Sequence, residues 1–146
     1  MLADRRTRKI VWTDEMALGI EEIDADHASL LKIVQDIDAV LASPRHQGDL
    51  HSRIVHLFRF ADQHFSHEDT WMDRLPADKY ADHIEAHRRM HNAFLSRLAG
   101  ISNRTASPDG FQEPTGSFEI MLTDMVLEMV STDRQMVECL RAENLI

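Results

Sequence analysis

Histidine and acidic residues stand at inward-facing positions of four amphipathic helical segments, and this feature constrains the fold more than any other. A helix that faces the core of a bundle places its inward residues at alternating spacings of four and three. Apolar side chains hold most of these positions, and one or two neighbouring positions on each segment are polar. The polar positions are His27, His64, Glu68, His87, His91 and Glu128, and Asp133 flanks the last of these stripes.

The helical segments are separated by residues that break helices. We expect helices over about 20–41, 49–72, 78–98 and 117–142. The stretch 102–116 is rich in Ser, Pro and Gly and is expected to form a long loop, and residues 1–19 an irregular N-terminal arm. Four amphipathic helices predict an all-α fold, an up-down-up-down four-helix bundle, with one domain over 1–146.

Charge and cysteine content narrow the classes of partner. The formal net charge of −9 argues against nucleic acid and against an anionic membrane surface. No apolar run approaches the roughly 20 residues of a membrane span. The one cysteine, Cys139, excludes an intramolecular disulfide, so a reducing, cytoplasmic location is expected.

The inward-facing acids indicate a metal site. Burying an ionised carboxylate without a partner costs several kcal/mol. A lone buried histidine is usually a satisfied core residue, and a His/Glu pair four residues apart is often a surface pair. Here all four helices place such residues inward, which favours a cation among them. Imidazoles and carboxylates without thiolates suit iron, manganese or zinc, and seven such ligands are too many for one ion.

Three motifs resemble those of the hemerythrin family, in particular its single-domain bacterial members. "IDADH" at 23–27 resembles the family's Ile-Asp-x-x-His, and "HFSHED" at 64–69 resembles its His-Phe-x-x-Glu-Glu. "HRRMHNAF" at 87–94 resembles its His-x-x-x-His-x-x-Phe. The resemblance extends from about Val11 to Asp133 and implies a four-helix bundle around a non-haem centre of two iron ions, bridged by an oxo or hydroxo group, that binds O2 reversibly.

The resemblance also implies a role for each ligand. It assigns one iron to His87 and His91, the iron with the open position to His27 and His64, and the bridging carboxylates to Glu68 and Asp133. A rival third-helix pair is His83 with His87, which we reject because His83 lies off the inward stripe. Asp24, one turn before His27, is either an acceptor that supports the site or a helix cap.

The chain departs from the family at Glu128, where the resemblance predicts a fifth histidine. No histidine follows His91. We expect Glu128 to bind the iron held by His87 and His91; the alternative is that it turns away and leaves that site incomplete. A third carboxylate would add negative charge, favour the ferric state and speed autoxidation.

The leading hypothesis is a di-iron protein that binds O2 or a related small ligand as a carrier, store or sensor, rather than an enzyme. A sensor would need a redox or signalling partner. The alternatives are a di-iron oxidase or peroxidase, and a helical interaction module that binds zinc or no metal.

Overall fold

The computed structural model describes residues 12–41, 47–106 and 115–146, and four α-helices form most of these residues. A short 3-10 turn over Asp14–Met16 precedes them. The helices are α1 (Glu21–Leu41), α2 (Gln47–Met72), α3 (Ala77–Thr105) and α4 (Thr115–Ala142). Helix α2 packs against α1 and α3, and α4 packs against both α1 and α3. This closed ring confirms the predicted all-α four-helix bundle.

The ends of α3 and α4 differ from the sequence-based expectation. Helix α3 continues through Gly100 to Thr105, and α4 begins at Thr115. A side chain at position 100 would meet no atom within 4 Å, so nothing in the packing ends the helix there. The predicted loop 102–116 is therefore helical at both ends, and residues 107–114 lie outside the described part of the chain.

The N-terminal arm is held against the start of α1 by hydrogen bonds. The backbone N–H of Leu18 donates to Oδ1 of Asp24 over 2.7 Å, and that of Gly19 donates to Oδ2 over 3.2 Å. The guanidinium of Arg141 donates to the carbonyl of Leu18 over 2.7 Å. These contacts tie the arm to the first turn of α1 and are neither of the two predicted roles of Asp24, since its acceptors bind N–H groups that precede the helix. Residues 1–11 of the arm lie outside the described residues, while Trp12 packs against the core.

The apolar core is divided into two clusters. One contains Leu30, Ala61, Phe94 and Met129 among others, and the second contains Ile23, Met72 and Met136 among others. His27 on α1, Glu68 on α2 and Asp133 on α4 lie in sequence between the residues of the two clusters. The buried polar side chains therefore form a layer across the bundle, with apolar residues above and below it.

Among the described residues, no helix has both the length and the apolar composition needed to cross a membrane.

Candidate metal centre

Six polar side chains meet in the layer between the two apolar clusters. They are His27, His64, Glu68, His87, His91 and Asp133, and each is at most 4% exposed. In the described part of the chain no other polar or charged residue is buried to this degree. All six were predicted as ligands, and the structure brings them together.

Helical spacing explains how the layer is built. His64 and Glu68 are four residues apart on α2, and so are His87 and His91 on α3. Residues at this spacing lie on one face of a helix, one turn apart. Each of these helices therefore contributes two ligand-type side chains, while α1 and α4 contribute one each.

The six side chains form two overlapping groups of possible metal ligands. His27, His64, Glu68 and Asp133 make one group, and Glu68, His87, His91 and Asp133 make the other. Within each group, one donor atom per residue lies within 4.8 Å of all the others. Each group has its own pair of histidines, and the two groups share both carboxylates.

The carboxylate of Asp133 lies between the two histidine pairs. Its Oδ2 accepts hydrogen bonds from Nε2 of His27 over 2.6 Å and from Nε2 of His64 over 3.2 Å. Its Oδ1 lies 3.1 Å from Nε2 of His87. One oxygen thus faces the first histidine pair, and the other faces the second.

Glu68 has the complementary arrangement. Its Oε2 accepts from Nε2 of His87 over 2.6 Å and from Nε2 of His91 over 3.2 Å. Its Oε1 contacts Nε2 of His64. Both carboxylates therefore place one oxygen at each histidine pair, as bridging ligands of two ions would.

The spacing of the donors fits metal ions. Donors about 2.1 Å from an ion lie about 3.0 Å apart at neighbouring corners of an octahedron. The contacts of 2.6 to 3.2 Å between imidazole nitrogens and carboxylate oxygens are close to this separation. The set of nitrogen and oxygen donors, without thiolate, also suits iron, manganese or zinc. Small outward shifts of the side chains would admit an ion to each group.

The electrostatics of the layer also indicate a site for cations. Burial alone would lower the pKa of His64, but hydrogen bonds to Asp133, Asp26 and Glu68 raise it to about 11. Burial likewise opposes the charged form of His87, but hydrogen bonds to Asp133 and Glu68 raise its pKa to about 9. The two carboxylates thus favour positive charge, supplied either by protons or by a metal.

The pKa of Asp133 also indicates that the polar layer favours positive charge next to its carboxylates. Burial alone would raise it, but hydrogen bonds from His27, His64 and His87 hold the pKa well below its usual range. Asp133 is thus ionised in the interior of the bundle and is available as a negatively charged ligand.

Asp26 supports the site from outside the ligand set, and the sequence did not point to it. Its Oδ2 accepts from Nδ1 of His64 over 2.8 Å and from Nδ1 of His67, also over 2.8 Å. The first bond orients the imidazole of His64 so that its Nε2 faces Glu68 and Asp133. Metal-binding histidines usually have such a partner on their second nitrogen. His67 is 32% exposed, so the contacts run from the centre to the surface.

Glu128 does not join the centre, contrary to the sequence-based expectation. Its side chain is exposed and belongs to neither donor group. The buried stripe of α4 runs through Leu122, Val126, Met129, Asp133, Met136 and Leu140. This stripe has the four-and-three spacing of a core-facing helix and includes Asp133. Residues five apart point about 140° from each other on a regular helix, and here Asp133 faces inward while Glu128 faces solvent.

His83 stays outside the centre, as expected. It is half-buried, its ring lies 5.7 Å from that of His87, and it belongs to neither donor group. His91 is buried within the second group, where its ring stacks on Phe65 at a centroid distance of 3.9 Å. The structure therefore selects His91, not His83, as the partner of His87.

The chain is similar to known proteins over most of its length. The family model described as "Hemerythrin HHE cation binding domain" matches residues 18–141. A bacteriohemerythrin from Clostridium acetobutylicum is 22% identical over 131 residues, which cover 88% of this chain and 98% of that protein. No solved structure matches the chain. Because the family match spans most of the chain and includes all six clustered side chains, the chain belongs to the hemerythrin family.

Proposed function

We propose that this protein is a non-haem di-iron protein that reversibly binds O2 or a related small ligand, as a carrier, store or sensor. The observation that carries the proposal is the orientation of Asp133 and Glu68. Each of these buried carboxylates directs one oxygen to each histidine pair. Two ions bridged by both carboxylates would satisfy all four oxygens, whereas a single ion would not.

Iron is the metal that the donors and the family resemblance favour together. His27 and His64 would hold one ion, and His87 and His91 the other. Imidazole and carboxylate are suitable ligands for iron. When bound, the irons would supply the redox-active centre at which a small ligand binds.

The surroundings of the centre favour reversible binding over turnover. Apolar clusters lie on both sides of the polar layer along the bundle. In the described part of the chain, the ligands are the only polar or charged side chains that are buried. The interior therefore offers a substrate no acid or base besides the ligands. The expectation of fast autoxidation rested on Glu128 as a third carboxylate, and its exposed position removes that basis.

A di-iron oxidase or peroxidase is the second candidate. It is favoured by the hydrogen bonds that join His64 through Asp26 to the partly exposed His67. Such a chain of hydrogen bonds connects the centre to solvent and suits the delivery of protons. In the carrier or sensor, the same contacts serve to orient His64.

We further propose that the protein works in the cytoplasm. A sensor would also require a redox or signalling partner.

Anaerobic reduction followed by exposure to air tests the proposal. Protein loaded with iron would be reduced, mixed with O2 and followed by visible absorption through repeated cycles of deoxygenation. A spectrum that reverses on removal of O2 supports the binding protein. Direct passage to an oxidised product, with turnover of added peroxide, supports the enzyme. An Asp133→Asn variant serves as a control, and failure of the wild-type protein to bind iron would contradict both candidates.

A further inference from the structure

The two donor groups are equal in composition. Each contains two imidazoles, and both contain Glu68 and Asp133. The family resemblance instead implied unequal ions, one fully ligated and one with an open position. In this chain each ion would receive two nitrogens and one oxygen from each carboxylate. An octahedral ion with these four ligands has two positions left, one of which a bridging solvent ligand can fill.

The group that contains His87 and His91 lacks the fifth protein ligand that the resemblance predicted from α4. One turn before Asp133 the buried side chain is Met129, which is 0% exposed. A thioether is a soft ligand that suits Cu(I) rather than an iron held by oxygen and nitrogen. Glu128, the neighbouring residue, is exposed. On the buried face of α4, Asp133 is therefore preceded one turn earlier by a residue of the apolar core, where the resemblance predicted an imidazole ligand in addition to the carboxylate.

A surface cavity reaches His91, one of the two histidines of the group that contains His87 and His91. It has a volume of about 170 Å³, lies between α2 and α3, and is lined by residues that include Phe65, Arg88, His91 and Asn92. His91, which is only 4% exposed, is one of the residues that line it. The cavity is large enough for several water-sized molecules, so a small ligand can approach this side of the centre from solvent.

We propose, on the basis of the di-iron function above, that the metal held by His87 and His91 has its own open coordination position. The centre then takes two small exogenous ligands, one at each metal. The ligand class is a neutral or singly negative molecule of two or three atoms. A larger or more highly charged ligand would not suit a centre that is enclosed by apolar clusters and surrounded by a chain of net charge −9.

Azide titration of the diferric protein tests the proposal. Calorimetry and visible absorption would give the number of azide ions bound per chain, and iron analysis on the same sample would give the number of metals. Two irons and two azides support the proposal. Two irons and one azide overturn it but leave the proposed function standing, whereas fewer than two irons overturn both.

Two variants locate the second azide. Met129→His places an imidazole on the buried face one turn before Asp133, and we expect azide binding to fall from two equivalents to one. Glu128→His places the same side chain at the neighbouring exposed position, and two equivalents should remain. A fall in the Glu128→His protein instead, or no fall in Met129→His, would overturn the assignment. Nitric oxide uptake by the reduced wild-type protein gives a second count that needs no variant: two equivalents are expected, and one would overturn the proposal.

Discussion

Asp26 accepts a hydrogen bond from Nδ1 of His64 over 2.8 Å, and this contact joins a partly exposed carboxylate of α1 to a buried imidazole of α2. It holds Nε2 of His64 toward Glu68 and Asp133. Among the residues that the structure describes, the outer nitrogen of His27 has no hydrogen-bond partner, and neither does that of His87. Among these three histidines, His64 is thus the one whose orientation is fixed from outside the centre.

Replacement of Asp26 is expected to weaken metal binding without unfolding the bundle. Loss of a carboxylate partner of this kind typically lowers metal affinity by about 10- to 100-fold. We expect this loss in Asp26→Ala, measured by competition with a chelator. Asp36→Ala removes an exposed acid from the same helix and should bind as the wild type does. Equal affinity in the two variants would show that Asp26 does not position His64.

Glu128 and Asp133 provide a matched pair of substitutions on α4. Each of Glu128→Gln and Asp133→Asn removes one negative charge with little change in size. Asp133 is buried and reaches both histidine pairs, so Asp133→Asn should lose most of the bound iron. Glu128→Gln should retain the iron content of the wild type, because its side chain is exposed. Iron loss in Glu128→Gln would place that residue in the centre after all.

The stability of protein stripped of metal should fall as pH rises above neutrality. The pKa of His64 is raised from 6.5 to about 11 and that of His87 to about 9 by their carboxylate partners. A raised pKa means that the folded state binds more protons than the unfolded state, so the stabilisation is complete below about pH 6.5 and is lost toward pH 9 to 11. Urea unfolding in the presence of chelator would measure the trend.

The same pH series on a His64→Gln variant separates this effect from other titrations. Without the imidazole, the variant should show a shallower loss of unfolding free energy with rising pH. A slope equal to that of the wild type would mean that His64 does not carry the dependence.

Two glycines should respond to alanine in opposite directions. Gly19 has a φ of +99°, and a Cβ there would lie 2.5 Å from an Arg141 nitrogen that donates to the carbonyl of Leu18. We expect Gly19→Ala to lower the unfolding free energy by about 1–3 kcal/mol. Gly100 lies inside α3 with open space around it, so Gly100→Ala should raise it by up to about 1 kcal/mol. Thermal or urea unfolding would check both, and destabilisation by Gly100→Ala would contradict the open surroundings.

The bundle and the six clustered residues were predictable from sequence because their signals are local. His64 with Glu68, and His87 with His91, repeat at one helical turn within otherwise apolar stripes. The register of α4 was not predictable in this way. The run from Met125 to Val130 is apolar on nearly all sides, so its periodicity does not determine which stripe faces inward. Contact with the other three helices selects the stripe through Met129 and Asp133, and this turns Glu128 to the surface.

The role of Asp26 depends on tertiary structure alone. Its partners lie on another helix, 38 and 41 residues away, and no spacing rule connects them. Asp24 instead bonds backbone groups five and six residues before it. These contacts are local in sequence, but they differ from both roles that the sequence suggested for Asp24.

The most direct test of the central claim is the number of irons per chain, combined with their magnetic coupling. Protein reconstituted with excess iron under anaerobic conditions, oxidised and freed of unbound metal would be analysed for iron content and magnetic susceptibility. Two ions that share Asp133 and Glu68 predict two irons per chain that are magnetically coupled to each other. One iron per chain, or two that are magnetically independent, would contradict the shared-carboxylate centre.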